Sequence, residues 1–124
     1  MNMISATAAA EVAERVAPGR VRGVDASADV VAQAEAARVA SGLDNASFAV
    51  DDAYALDSAD GAWDVVHAHQ VLQHLVRPVD ALREFRRVVA PDGVVAARDV
   101  DYEGVIWWPL LPGTGSPSLA YRSI

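Results

Sequence analysis

The feature that most constrains this chain is a regular alternation of short apolar segments with helical ones. Arg20 to Asp25, Ser47 to Val50, Trp63 to His67 and Gly93 to Asp99 each have the length and Val-rich centre of a strand. Helical stretches separate most of them. Ser5 to Ala17 is Ala-rich, sets Glu11 four residues before Arg15, and is stopped by Pro18-Gly19. Ser27 is placed to cap a helix reaching Ala40, with Val31, Ala34 and Ala37 as its apolar stripe, Glu35 and Arg38 paired outside and Gly42 as its stop. Pro78 suits the first turn of a third helix, in which Val79, Leu82, Phe85, Val88 and Val89 recur at helical spacing. Strands separated by helical segments predict parallel βαβ units. The order therefore predicts an α/β fold, a doubly wound and mainly parallel sheet between two layers of helices.

Two connections carry most of the polar signal. Asp51 to Gly61 holds four Asp and reads as loop. Pro91-Asp92-Gly93 reads as a turn, with Gly93 at a positive φ. After Gly104 the character changes: Val105 to Pro109 is apolar and Pro112 to Pro117 is rich in Gly, Pro and Ser. The chain thus divides into a domain over residues 1–104 and an irregular tail over 105–124.

Charge and composition remove several classes of function. The formal net charge is −7, and all ten basic residues are Arg. An acidic chain with scattered cations argues against general nucleic-acid binding and against anionic membranes. With no Cys there are no disulfides or thiolate metal sites. No apolar run has membrane-spanning length, and the first residues lack a basic n-region and an apolar core, so a cytoplasmic protein is the expectation.

Ligands of doubly wound sheets bind beyond the carboxyl ends of the strands, so the residues there are the candidates. Asp25, followed by Ala26, either accepts from both hydroxyls of a ribose or caps the next helix. Asp52 and Ala53 either read the edge of an adenine, through the carboxylate and a backbone N–H, or belong to a solvated acidic loop. His67 ends an apolar strand and reads as structural. His69 and Gln70 fall at the strand mouth. His74 has the intrinsic pKa of a general base. Three His so close together lack a zinc-enzyme ligand pattern, so no metal is expected.

In order, Gly23-Val24-Asp25-Ala26-Ser27, Asp51-Asp52-Ala53-Tyr54-Ala55-Leu56 and the block from Trp63 to Val95 resemble the ubiquinone/menaquinone-biosynthesis-like (methyltransferase type 11) branch of the class I S-adenosylmethionine-dependent methyltransferases. The block includes Val71-Leu72-Gln73-His74-Leu75, Pro78, Arg87-Val88-Val89 and Pro91-Asp92-Gly93. The resemblance covers roughly Ala8 to Trp108. It implies methyl transfer from S-adenosylmethionine to a small-molecule acceptor. Asp25 and Ala26 would hold the ribose, Asp52 and Ala53 the adenine, and His69 and Gln70 the methionine end, with His74 as a base near the acceptor. Trp107 and Trp108 would line an acceptor pocket or simply pack.

The departures shape the expectation as much. The family's first strand and its glycine-rich loop should precede Ser5, and the last strands should follow the tail. The resemblance therefore predicts a sheet lacking its first and last strands, in a chain truncated at both ends. A truncated, inactive remnant is the alternative outcome. A nicotinamide-dependent oxidoreductase would also place an acid after the second strand. It is disfavoured because a chain without Lys has no Tyr-x-x-x-Lys pair, and because His-Gln stands where Asn-Ala-Gly is expected.

Overall fold

The computed structural model describes residues 2–100; the expected tail at 105–124, with Trp107 and Trp108, lies outside them. Five strands, β1 (Asn2–Ser5), β2 (Val21–Asp25), β3 (Ala46–Val50), β4 (Trp63–His69) and β5 (Val89–Arg98), form one sheet in the order β3-β2-β1-β4-β5. Every pair is parallel. Three helices connect them: α1 (Ala6–Val16), α2 (Ala28–Ser41) and α3 (Pro78–Val88). The doubly wound sheet is as expected.

The missing first strand is not. β1 occupies the centre of the sheet, with Asn2 opposite both Val21 and Val65 and Ile4 opposite both Gly23 and His67. Four residues with no alternating pattern do not read as a strand. They form one here because ladders on both edges satisfy their backbone groups. β1 passes into α1 with no residue between them, and the first glycine of the chain is Gly19. No glycine-rich loop joins the two.

The alternation of side chains along each strand sorts the core into two layers. On one face, Ala9 and Ala13 of α1 pack against Val21 and Ala46, with Val12, Val16, Leu43 and Phe48 around them. Gly23 permits this close approach: a Cβ there would sit 2.6 Å from the Phe48 ring and 3.0 Å from Ala9. Asn45 ties the layer together, its amide donating to the carbonyls of Ala13 and Gly19, both at 2.8 Å. α2 begins on the Ser27 cap and ends at Gly42, which takes the left-handed φ of 67°. It buries no residue completely, and Ala37 of the expected stripe is exposed. α2 is an outer helix, so a half-buried stripe through Val31 and Ala34 is enough to seat it.

On the other face, α3 buries Ala81, Phe85 and Val88 against Val66, Ala68, Trp63 and Leu56. Val79 and Leu82, expected in this stripe, are 57% and 37% exposed. The spacing admitted either stripe, and the small Ala81 is the residue that fits flat against the sheet. Arg87 then fastens the acidic loop onto α3. Its guanidinium donates to the carbonyls of Leu56 (3.0 Å) and Ser58 (2.9 Å) and to Asp60 (2.7 Å), and it pairs with Glu84. Glu84 in turn accepts from the Leu56 N–H at 2.8 Å.

The expected turn at Pro91-Asp92-Gly93 is absorbed into β5 as an irregularity. Pairing with β4 jumps from Trp63–Val89 to Val65–Val94. Gly93 does not take the positive φ expected of it; among the described glycines only Gly42 and Gly61 do. Its requirement is space, because a Cβ would lie 2.5 Å from the Asp64 carbonyl oxygen.

Candidate functional site

The strand order reverses between β1 and β4, which is where a doubly wound sheet opens a crevice. The registers show how. Ser5, the last residue of β1, lies level with Val24, while β2 runs on to Asp25; Ile4 lies level with His67, while β4 runs on to His69. The central strand therefore ends short of its neighbours. Above its end lies a cleft of about 240 Å³. Asp25, Ala26, Asp51, Ala53, Gln70 and His74 supply its rim, and Val24, Leu56, Val66, Val71, Leu75 and Phe85 its apolar walls.

Asp25 does both things its position allowed. One carboxylate oxygen accepts from the Ser27 N–H at 2.8 Å and so shapes the entry to α2. The other has no hydrogen bond within the described residues and is available to a ligand. Asp51 stands beside it, its N–H donating to the Asp25 carbonyl at 3.0 Å. The Asp51 carboxylate accepts from the N–H of Asp52 (2.9 Å) and of Asp57 (3.1 Å), which folds the acidic loop back on itself.

Two expected site residues fall outside the lining. Asp52 faces solvent, and its carboxylate accepts from the Tyr54 N–H at 2.9 Å in a tight local turn. Its neighbour Ala53 reaches the cleft. His69 is also absent from the lining. It shares a sheet face with His67, the two rings stacking with centroids 6.3 Å apart. His67 itself does line the cleft, although its sequence position read as structural. Burial, then the neighbouring His69 and Arg98, holds its pKa below the ordinary histidine value, which favours the neutral ring. Asp51 and His67 thus line the cleft although the sequence did not single them out as site residues. The doubled acid Asp51-Asp52 was the available signal for the first, and strand alternation, which sets His67 and His69 on one side, for the second.

Gln70 holds the mouth of the crevice. It adopts a left-handed φ of 53°, unusual for a residue with a Cβ, and its N–H donates to the Arg98 carbonyl at 2.7 Å. This turns the chain off β4 and brings the short 3₁₀ turn Leu72–His74 over the cleft. Among the described residues, no three His, Asp or Glu converge as a metal site would require. No helix there is long and apolar enough to cross a membrane.

A doubly wound sheet with an acceptor oxygen at the end of its second strand, beside an apolar slot, has the layout in which α/β sheets take ligands at a switch point. The chain belongs to the methyltransferase-domain family, which it matches over residues 5–109. An uncharacterised methyltransferase of Schizosaccharomyces pombe is 35% identical over 100 residues, covering 76% of this chain and 36% of that protein. An uncharacterised 37.1 kDa protein of a Streptomyces fradiae transposon is 35% identical over 95 residues, covering 76% of this chain and 27% of its own length. The chain thus spans about a third of the length of these curated relatives. Among solved structures, a SAM-dependent methyltransferase from Aquifex aeolicus shares the fold with a TM-score of 0.76 at 21% identity, over 87% of this chain and 60% of that one. The [4+2]-cyclase SpnF has a TM-score of 0.70 at 27% identity, over 77% of this chain and 36% of that one. S-adenosylmethionine is the cofactor named for the Aquifex aeolicus protein.

The residues present fit the adenosyl part of that cofactor. Asp25 offers a free acceptor to ribose hydroxyls, and Ala53 and Leu56 line an apolar slot of the right kind for a purine. For the methionine part, the glycine-rich loop of the family has no counterpart between β1 and α1, which follow one another directly.

Proposed function

We propose that this chain is the cofactor-binding part of an S-adenosylmethionine-dependent methyltransferase acting on a small-molecule acceptor. The observation that carries the proposal is the unengaged oxygen of Asp25 at the switch point of the sheet, beside the slot lined by Ala53 and Leu56. The bound cofactor would supply a methyl group already activated as a sulfonium, so the protein's task is positioning in line rather than proton transfer. Asp25 and Ala26 orient the ribose. Asp51 and Ala53, in place of the expected Asp52, border the adenine. Gln70 and His67 flank the route to the methionine end, and His74 stands over the cleft where an acceptor would enter. No metal takes part in this reading.

A second reading, binding without turnover, is favoured by one observation, the direct passage from β1 to α1. Fold alone does not set the reaction, as the cyclase neighbour illustrates. Calorimetric titration with S-adenosylhomocysteine tests the binding claim. Saturable binding that Asp25→Ala abolishes is expected; a folded chain that binds nothing would refute it. Transfer of a labelled methyl group to a panel of hydroxyl, amine and carbon acceptors separates turnover from binding alone.

A further inference from the structure

The 3₁₀ turn that overhangs the cleft is tied to the residues after β5 through Gln73, by its backbone and its side chain. Its backbone N–H donates to the Asp99 carboxylate at 3.2 Å, and its amide oxygen accepts from the Val100 N–H at 2.9 Å. The second contact fixes which way the amide points. A backbone N–H only donates, so the atom facing Val100 must be oxygen, and the NH₂ group is turned the other way. What it meets there is Nε2 of His74, at 3.2 Å. An amide NH₂ only donates, so Nε2 must offer its lone pair. In the neutral ring the proton then sits on Nδ1.

We propose that Gln73 is a positioning residue that sets the tautomer of His74, so that this cleft-lining ring carries its proton on Nδ1 and offers it as a hydrogen-bond donor. The lone pair that a general base would need is already occupied by the Gln73 amide. Resting on the methyltransferase reading above, this assigns His74 a different task from proton abstraction: it orients an acceptor molecule through an oxygen or nitrogen lone pair. The acceptors that fit are those with a carbonyl, ether or hydroxyl oxygen next to the methylated atom. Acceptors that need a proton removed by this ring do not fit.

The tautomer can be read without any ligand, so its test stands apart from that of cofactor binding. In ¹⁵N-histidine-labelled protein, above the pH at which the rings titrate, long-range ¹H–¹⁵N correlation distinguishes protonated from bare ring nitrogens. The His74 signals are assigned by their loss in His74→Asn. The wild-type chain is expected to show a bare Nε2 and a protonated Nδ1. Gln73→Glu keeps the shape and the bond from Val100 but replaces the donor with an acceptor, so the proton should move to Nε2. Gln73→Met removes both partners and should give a mixture of the two forms. A wild-type ring protonated at Nε2 would overturn the proposal even if neither variant folded. So would an unchanged pattern in a folded Gln73→Glu protein.

Discussion

Replacing Gln70 by Gly should stabilise this chain relative to Gln70→Ala, the reverse of the usual order. Gln70 sits at a φ of 53°. A Cβ in the left-handed region costs roughly 1–2 kcal/mol, and Ala retains that cost while Gly does not. Against it, Gly gives the unfolded chain more freedom, which costs about 0.4–1 kcal/mol. The backbone bond from Gln70 N–H to the Arg98 carbonyl survives in both variants, because neither removes the amide. The side chain is exposed, so truncating it removes little packing. The difference between the two variants therefore isolates the backbone term, and Gly should exceed Ala by roughly 0.5–1 kcal/mol. Urea denaturation followed by far-UV circular dichroism resolves this as a shift in midpoint at a shared m-value. If Gln70→Ala were the more stable of the two, the left-handed turn at the cleft mouth would not exist in solution. Both variants should bind S-adenosylhomocysteine more weakly than wild type, because both lose the side chain at the rim.

Phe85 serves the core and the cleft wall at once, so Phe85→Ala should cost about 3–5 kcal/mol in denaturation and Phe85→Leu well under half of that. Gly93→Ala should cost about 1–3 kcal/mol, because the obstructing Asp64 oxygen is backbone and has nowhere to go; a neutral result would mean that the β4–β5 pairing is looser than described. The Glu84 carboxyl is held below its usual range by the Arg87 guanidinium, with the Leu56 N–H in support and burial opposing. A depressed folded pKa contributes stability that is present above the unfolded value, near 4.3, and is lost as the pH falls through the folded value. Glu84→Gln should therefore flatten the decline in thermal midpoint between about pH 5 and pH 3. Parallel curves for the two proteins would show that the carboxylate contributes nothing to acid sensitivity.

The parts of the fold legible in the sequence were those written in local terms. Ser27 and Gly42 mark the ends of α2 because capping is decided within one turn, and Pro78 marks the start of α3 for the same reason. β1 was illegible because nothing local makes Asn2–Ser5 a strand; its neighbours on both sides do. The choice between Ala81 and Val79 for the core depended on how α3 rolls against the sheet, which periodicity alone leaves open. Likewise Gly93 announced a special backbone requirement, but whether torsion or space lay behind it depended on Asp64, distant in sequence. In the candidate site, Asp25, Ala26, Ala53, Gln70 and His74, which the sequence singles out because they follow strands, line the cleft. Asp51 and His67 line the cleft where Asp52 and His69, one or two residues away, do not. The fold fixed the neighbourhood from sequence; the exact direction of each side chain depended on register, which only the paired sheet determines.

The most direct test of the central claim is a map of backbone amide shifts on titration with S-adenosylhomocysteine. Ala26, Ala53, Gln70 and His74, at the carboxyl ends of the strands, should move together with one saturation curve. Asn45, Ser47 and Asp64, at or near the opposite ends, should stay still. Shifts confined to those opposite ends, or no saturable shifts in a folded sample, would contradict it.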